Sequence, residues 1–192
     1  MQDYDVGYAF SDKYASKSRL GFYFLGGILL IALLGFLFAN DFLMVFLVDL
    51  LFAAANAGMR MYKAYVDFPL ELEFTTFATV TMSMGFGFKA GLFTAVFVGF
   101  FGDVFTGVTA YTPITIGSYI FAALLASLFP ADMFLLAGII ISLVISGLSW
   151  ILYHITQSFS PFENVMYAAT ELAGNVYFFF ALAWIARIVI GH

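Results

Sequence analysis

The sequence predicts an all-α fold, a polytopic transmembrane helical bundle, on three observations. Hydrophobic residues make up 64% of the 192, charged residues only 10%, and the mean hydropathy is +1.02. A water-soluble domain needs roughly 25% charged residues at its surface, so this composition does not furnish one. The apolar residues fall in runs near the length of about 20 that crosses a bilayer as a helix. Those runs do not alternate apolar with polar residues, which excludes a membrane barrel.

Residues 1–19, MQDYDVGYAFSDKYASKSR, are polar and mixed in charge, and residues 20–192 form a single transmembrane domain. The apolar run beginning near Leu20 is too long for the h-region of a signal peptide, and no small-residue cleavage motif follows it. It reads as a retained first helix over 20–39. Further helices are expected near 42–64, 72–86, 88–106, 114–129, 133–157 and 162–190, the segment 72–86 being short. Asn40–Asp41 makes a tight hairpin, since both residues tolerate turn geometry. Pro69, Pro113, Pro130 and Pro161 fall at helix boundaries, and Gly85 and Gly87 separate two helices. There is no linker, soluble insertion or internal repeat.

If every helix spans, Lys13, Lys17, Arg19, Arg60 and Lys63 fall on one side and Lys89 and Arg187 on the other. The positive-inside rule then places the N-terminus in the cytoplasm. The chain has no cysteine, so disulfides and thiolate metal sites are excluded. It carries no metalloprotease motif, no Ser/His/Asp arrangement at a recognisable spacing and no phosphate-cradling loop. A single histidine near a helix end, His154, makes no metal site. The expectation is a chain that is not an enzyme and uses no cofactor or metal.

Small residues recur at fourfold spacing. Gly87, Gly91, Ala95 and Gly99 form one stripe, and the next step of four reaches Asp103. Lipid supplies no hydrophobic force between helices, so small-xxx-small stripes mark close backbone approach. Ala53/Ala57 and Ala54/Gly58 form a second patch, followed by Ser118/Ala122/Ala126 and Gly138/Ser142/Ser146. Each stripe either packs the bundle internally or docks a partner helix; the patch at 53–58 is the best docking candidate.

Ionisable residues at membrane depth cost several kcal/mol, so they face a cavity or a partner. Glu171 lies roughly 14 Å into the last helix at about 1.5 Å per residue, with Tyr167 one turn before it and Asn175 one turn after. The three form a polar ladder directed into the bundle, serving either a ligand or a neighbouring helix. Asp49 sits in the middle of its helix and Asp103 near an end, each with a structural alternative. In Tyr65–Phe74, Glu71 and Glu73 alternate with apolar residues ahead of Thr75, Thr76 and Thr79. Such a loop either closes over a small cationic or polar ligand or faces water.

The order of these features is similar to a known family. A helix with LFAAANAG is followed by FPLELEF, a short apolar helix, GFGFKAGLFTAVFVGFFGDVFTG, a Pro-containing loop and GSYIFAALLAS. This resembles the substrate-binding S components of energy-coupling factor vitamin transporters, over roughly residues 42–190. The resemblance implies a six-helix core over 42–190 with 20–39 added, in the cytoplasmic membrane of a prokaryote. It implies capture of a vitamin-like solute, with transport driven by another membrane subunit and ATPases. Ala53, Ala57 and Gly58 would dock that subunit; Glu71, Glu73, Tyr111, Tyr167, Glu171 and Asn175 would face the solute. The added helix is a departure: a family-like core puts residues 1–19 outside, against the count of positive charges. The rod-shape-determining MreD family, small multi-helix assembly proteins with a glycine-rich helix ending near Asp, is the second resemblance. A subunit relaying protons or ions is a third possibility. The expected partners are thus the bilayer, a small solute and other membrane subunits, with no nucleic acid.

Overall fold

The computed structural model describes residues 42–61, 72–106, 108, 112–155 and 160–191. The expected helix 20–39, the segment 1–19, Glu71 and Tyr111 lie outside the described residues. Those described form seven α-helices and no strand: α1 (Phe42–Arg60), α2 (Thr75–Phe86), α3 (Phe88–Thr106), α4 (Thr112–Ala126), α5 (Phe134–Ile155), α6 (Pro161–Ala181) and α7 (Ala183–Ile190).

Local chemistry accounts for several of the boundaries. Gly87 separates α2 from α3 with φ +87°, a conformation that costs glycine little and other residues much. Ser160 opens α6 with a full capping box: its hydroxyl accepts from the Glu163 N–H, and the Glu163 carboxylate accepts from the Ser160 N–H. Pro161 follows in the first turn, where its missing N–H costs nothing. A single 3₁₀ turn, Ala131–Met133, leads into α5.

The long last helix expected over 162–190 is broken. α6 and α7 meet at Leu182 with a bend of 63°. No proline or glycine marks the break; packing explains it. α7 turns to lie along α2, where Gly85 lets the Ile190 backbone approach as closely as a Cβ would allow, 3.4 Å, and Ala186 is fully buried.

α2 is the centre of the bundle and touches all six of the other helices. Every residue from Thr75 to Ser83 is buried, so α2 has no outward face. Around it, Phe77 and Phe179 lie 5.5 Å apart, Phe134 and Phe179 5.4 Å, and Phe74 and Phe178 5.5 Å between ring centroids. This cluster ties α2 to the start of α5 and the end of α6. Two helix pairs have clear registers. In the antiparallel pair α2/α3, Gly91 faces Ser83 and Gly99 faces Thr75. In the parallel pair α1/α3, Asp49–Thr94, Asn56–Val98 and Arg60–Asp103 climb both helices together.

Outside its apolar core, the distribution of residue types differs from that of a soluble protein. Leu43, Leu51, Leu128, Ile155, Phe162, Trp184 and Ile188 are exposed, whereas Asp49, Asn56, Thr79, Thr94 and Asn175 are buried. Two described stretches, Leu43–Arg60 and Ala131–Ile155, are long and apolar enough to cross a membrane. The bent pair α6–α7 makes a third if counted as one span. α2, with 12 residues, is only about 18 Å long at 1.5 Å per residue, less than the roughly 30 Å hydrocarbon core. The segment expected to be short, 72–86, is thus the central helix, and most of the described helices around it are longer and more apolar.

Candidate functional site

The described polar side chains concentrate inside the bundle, in three groups. The first gathers where α1 ends, α2 begins and α3 ends. Arg60, the last residue of α1, donates through Nη1 to Asp103 Oδ1 and through Nη2 to Glu73 Oε2 at 3.4 Å. Tyr119 of α4 donates its hydroxyl to the same Glu73 oxygen, and Thr76 donates to Glu73 Oε1 at 3.3 Å. Asn56, one turn before Arg60, accepts the Phe74 N–H at 2.8 Å and donates to the Val98 carbonyl at 3.2 Å. That accepted N–H belongs to the N-cap of α2, whose own side chain supplies no cap. Gly102 makes the room: a Cβ there would fall 2.4 Å from Asn56 Nδ2 and 3.0 Å from Arg60 Cδ. These groups bind four helices into one end of the bundle.

The second group lies deeper. Asp49 of α1 is completely buried and accepts from Thr94 Oγ1, 2.9 and 3.1 Å from its two oxygens. The same hydroxyl lies 2.9 Å from the Ala90 carbonyl, and its one hydrogen serves only one of these acceptors at a time.

The third group runs along the α5/α6 seam. This pair is antiparallel, anchored at one end by Phe179 against Gly138 and at the other by Asn164 Nδ2 donating to the Trp150 carbonyl at 3.1 Å. Between those anchors Ser142 and Ser146 of α5 face the stretch of α6 that carries Glu171 and Asn175. Glu171 and Asn175 face inward and Tyr167 is half-buried, so the ladder 167/171/175 does turn its lower two rungs into the bundle. Both amide atoms of Asn175, the Ser146 hydroxyl and Asn164 Oδ1 are buried without a hydrogen-bond partner, as are the hydroxyls of Thr75 and Thr79. A buried polar atom left unpaired costs about 1–3 kcal/mol, so this concentration needs a reason.

Next to these groups lies an apolar cavity of about 560 Å³ between the end of α1 and α6, lined by Met59, Leu72, Ala173, Gly174, Tyr177 and Phe178. Three of its lining residues are the sequence neighbours of Arg60, Glu73 and Asn175.

The residues singled out from sequence fall as follows. Glu73 is buried and held by Arg60, Tyr119 and Thr76, inside the bundle and not in an open loop. Glu71 and Tyr111 are outside the described residues. Of the stripe, Gly91 and Gly99 are points of close approach: a Cβ on Gly91 would meet Ser83 Oγ at 1.9 Å, and one on Gly99 the Tyr119 ring at 3.0 Å. Ala95 is fully buried between them. Gly87 has a different role: a Cβ there would meet nothing within 4 Å, and its positive φ forms the turn. The proposed docking patch also divides. Ala53 and Ala57 point into the bundle, and Ala54 and Gly58 point out, because adjacent residues on a helix lie about 100° apart. Ala53 and Ala57 are thus bundle contacts.

Asn56, Thr94, Tyr119 and Asn164 were not foreseen, nor was the pairing of Arg60 with Asp103. A signal for the first existed: Asp49, Ala53, Asn56 and Arg60 recur at steps of four, three and four, the buried stripe of α1. His154 is exposed and stacks on Trp150, 6.0 Å between centroids. Among the described residues, no three His, Asp or Glu side chains converge as a metal site would need. Comparison of the chain with protein-family models, with curated proteins and with solved structures finds no match.

Proposed function

We propose that this chain is a membrane-embedded solute-binding component of a multisubunit transporter, of the kind represented by energy-coupling factor S components. The observation that carries the reading is Asn175: an amide with a free donor edge and a free acceptor edge, buried one turn from Glu171 and next in sequence to Gly174, which lines an apolar cavity. Such an amide is suited to a small neutral or weakly charged molecule that presents its own donor and acceptor side by side. Ser146, on the facing helix, adds an unpaired hydroxyl. The charged group at Arg60 fits a supporting role, because its carboxylates already hold protein partners. Energy for transport would come from other membrane subunits and their ATPases, and the outward small residues Ala54 and Gly58 offer a close-approach surface for one of them.

Native mass spectrometry of the gently solubilised full chain tests the proposal. The expected result is a retained small-molecule mass that disappears in Asn175→Leu while the protein stays folded. Retention of membrane subunits with no small molecule, in the wild type as in the variant, would instead support an assembly subunit of the MreD type.

A further inference from the structure

The opposite end of the bundle carries a second cavity, about 600 Å³, between the start of α5 and α7. Its lining is mainly apolar, with Met133, Phe134, Leu136 and Ile190, but it holds two charged residues, Asp132 and Arg187. The 63° bend at Leu182 creates it, by swinging α7 off the line of α6. Ala183, Arg187 and Ile190 then lie at steps of four and three on one face of α7, turned toward the first turn of α5. Asp132 and Arg187 are both exposed, and neither has an ion-pair partner among the described residues, although they line the same space.

The place matters as much as the charges. Asp132 is the second residue of the span Ala131–Ile155, and Arg187 is in the last turn of α7. Span ends lie at the level of lipid head groups, where cavities between helices meet phosphate above and acyl chain below. A guanidinium matches a phosphate with paired N–H donors, and a carboxylate accepts hydrogen bonds from a primary ammonium. The apolar remainder suits the glycerol and upper acyl region.

We propose that this cavity binds a zwitterionic phospholipid with a primary-amine head group, its phosphate on Arg187 and its ammonium on Asp132. A purely anionic head group is disfavoured, because it places a second negative charge near Asp132. A quaternary ammonium is disfavoured, because it has no N–H to donate to the carboxylate.

The test uses the full chain incubated with mixed micelles of detergent and equal amounts of phosphatidylethanolamine, phosphatidylcholine and phosphatidylglycerol of one acyl composition, with retained lipids counted by native mass spectrometry. Several-fold preferential retention of phosphatidylethanolamine is expected. Asp132→Asn should erase its advantage over phosphatidylcholine, and Arg187→Gln should lower retention of all three lipids. Both side chains are exposed, so neither variant should alter the helical circular dichroism. Equal retention of the three lipids, preference for phosphatidylglycerol, or a preference unchanged in both variants would overturn the proposal.

Discussion

Arg60 and Asp103 lie 43 residues apart in sequence and join the ends of two parallel helices through a buried ion pair. Glu73 sits on the other side of the same guanidinium. One cation therefore holds two carboxylates delivered by separate segments, at the point where α1, α2 and α3 meet.

Removing that cation should be the most damaging single change at this end of the bundle. Arg60→Ala leaves two buried carboxylates without their counter-charge, a situation that costs about 3–5 kcal/mol. The expected outcome is a large fall in the melting temperature of the detergent-solubilised protein. Arg60→Lys should recover only part of it, because one ammonium cannot reproduce a fork that reaches two acceptors.

Glycines should differ sharply in their tolerance of a methyl group. A Cβ on Gly138 would lie 2.2 Å from Phe179 Cδ1, and that ring cannot retreat, being fully buried against Phe77 and Phe134. Gly138→Ala should cost about 1–3 kcal/mol by overpacking. A Cβ on Gly58 would meet nothing within 4 Å, so Gly58→Ala should be neutral or stabilising by up to about 1 kcal/mol through helix propensity. Thermal unfolding of the two variants side by side checks the pair.

How much of this was legible beforehand follows from which interactions are local. The helix starts and stops at Gly87 and Ser160–Glu163 are written in neighbouring residues, and the sequence marks them. The stripe Gly91/Ala95/Gly99 is likewise periodic within one helix, so its packing role was readable although its partner, α2, was not. The break at Leu182 was invisible, since it arises from α7 docking on Gly85, almost a hundred residues earlier in the chain. Inward and outward faces were harder still. LFAAANAG reads as one patch of small residues, and only the neighbours around α1 decide that Ala53 and Ala57 turn inward while Ala54 and Gly58 do not. Glu171 and Asn175 stand out in the sequence as polar residues inside an apolar helix, whereas Asn56 sits among alanines, where a small polar residue gives no such contrast.

Asp49 and Thr94 should behave as a coupled pair. Thr94→Val removes the hydroxyl that serves a completely buried carboxylate and should destabilise by about 1–3 kcal/mol. Asp49→Leu combined with Thr94→Val replaces both polar groups with apolar ones and should cost less than Thr94→Val alone. A double-mutant cycle on melting temperature reads the coupling directly; simple additivity would show that the bond at 2.9 Å contributes nothing.

Asn175 separates a binding role from a structural one. Its amide has no hydrogen-bond partner, so in solute-free protein Asn175→Leu relieves an unpaired buried group and should leave stability unchanged or raise it by about 1–3 kcal/mol. On the proposed reading, the same substitution in protein loaded with a solute should lower the melting temperature, because ligand binding to the native state is lost. The opposite signs are the diagnostic. A structural asparagine would destabilise in both conditions when replaced, and an amide unrelated to binding would give the same small gain with and without solute.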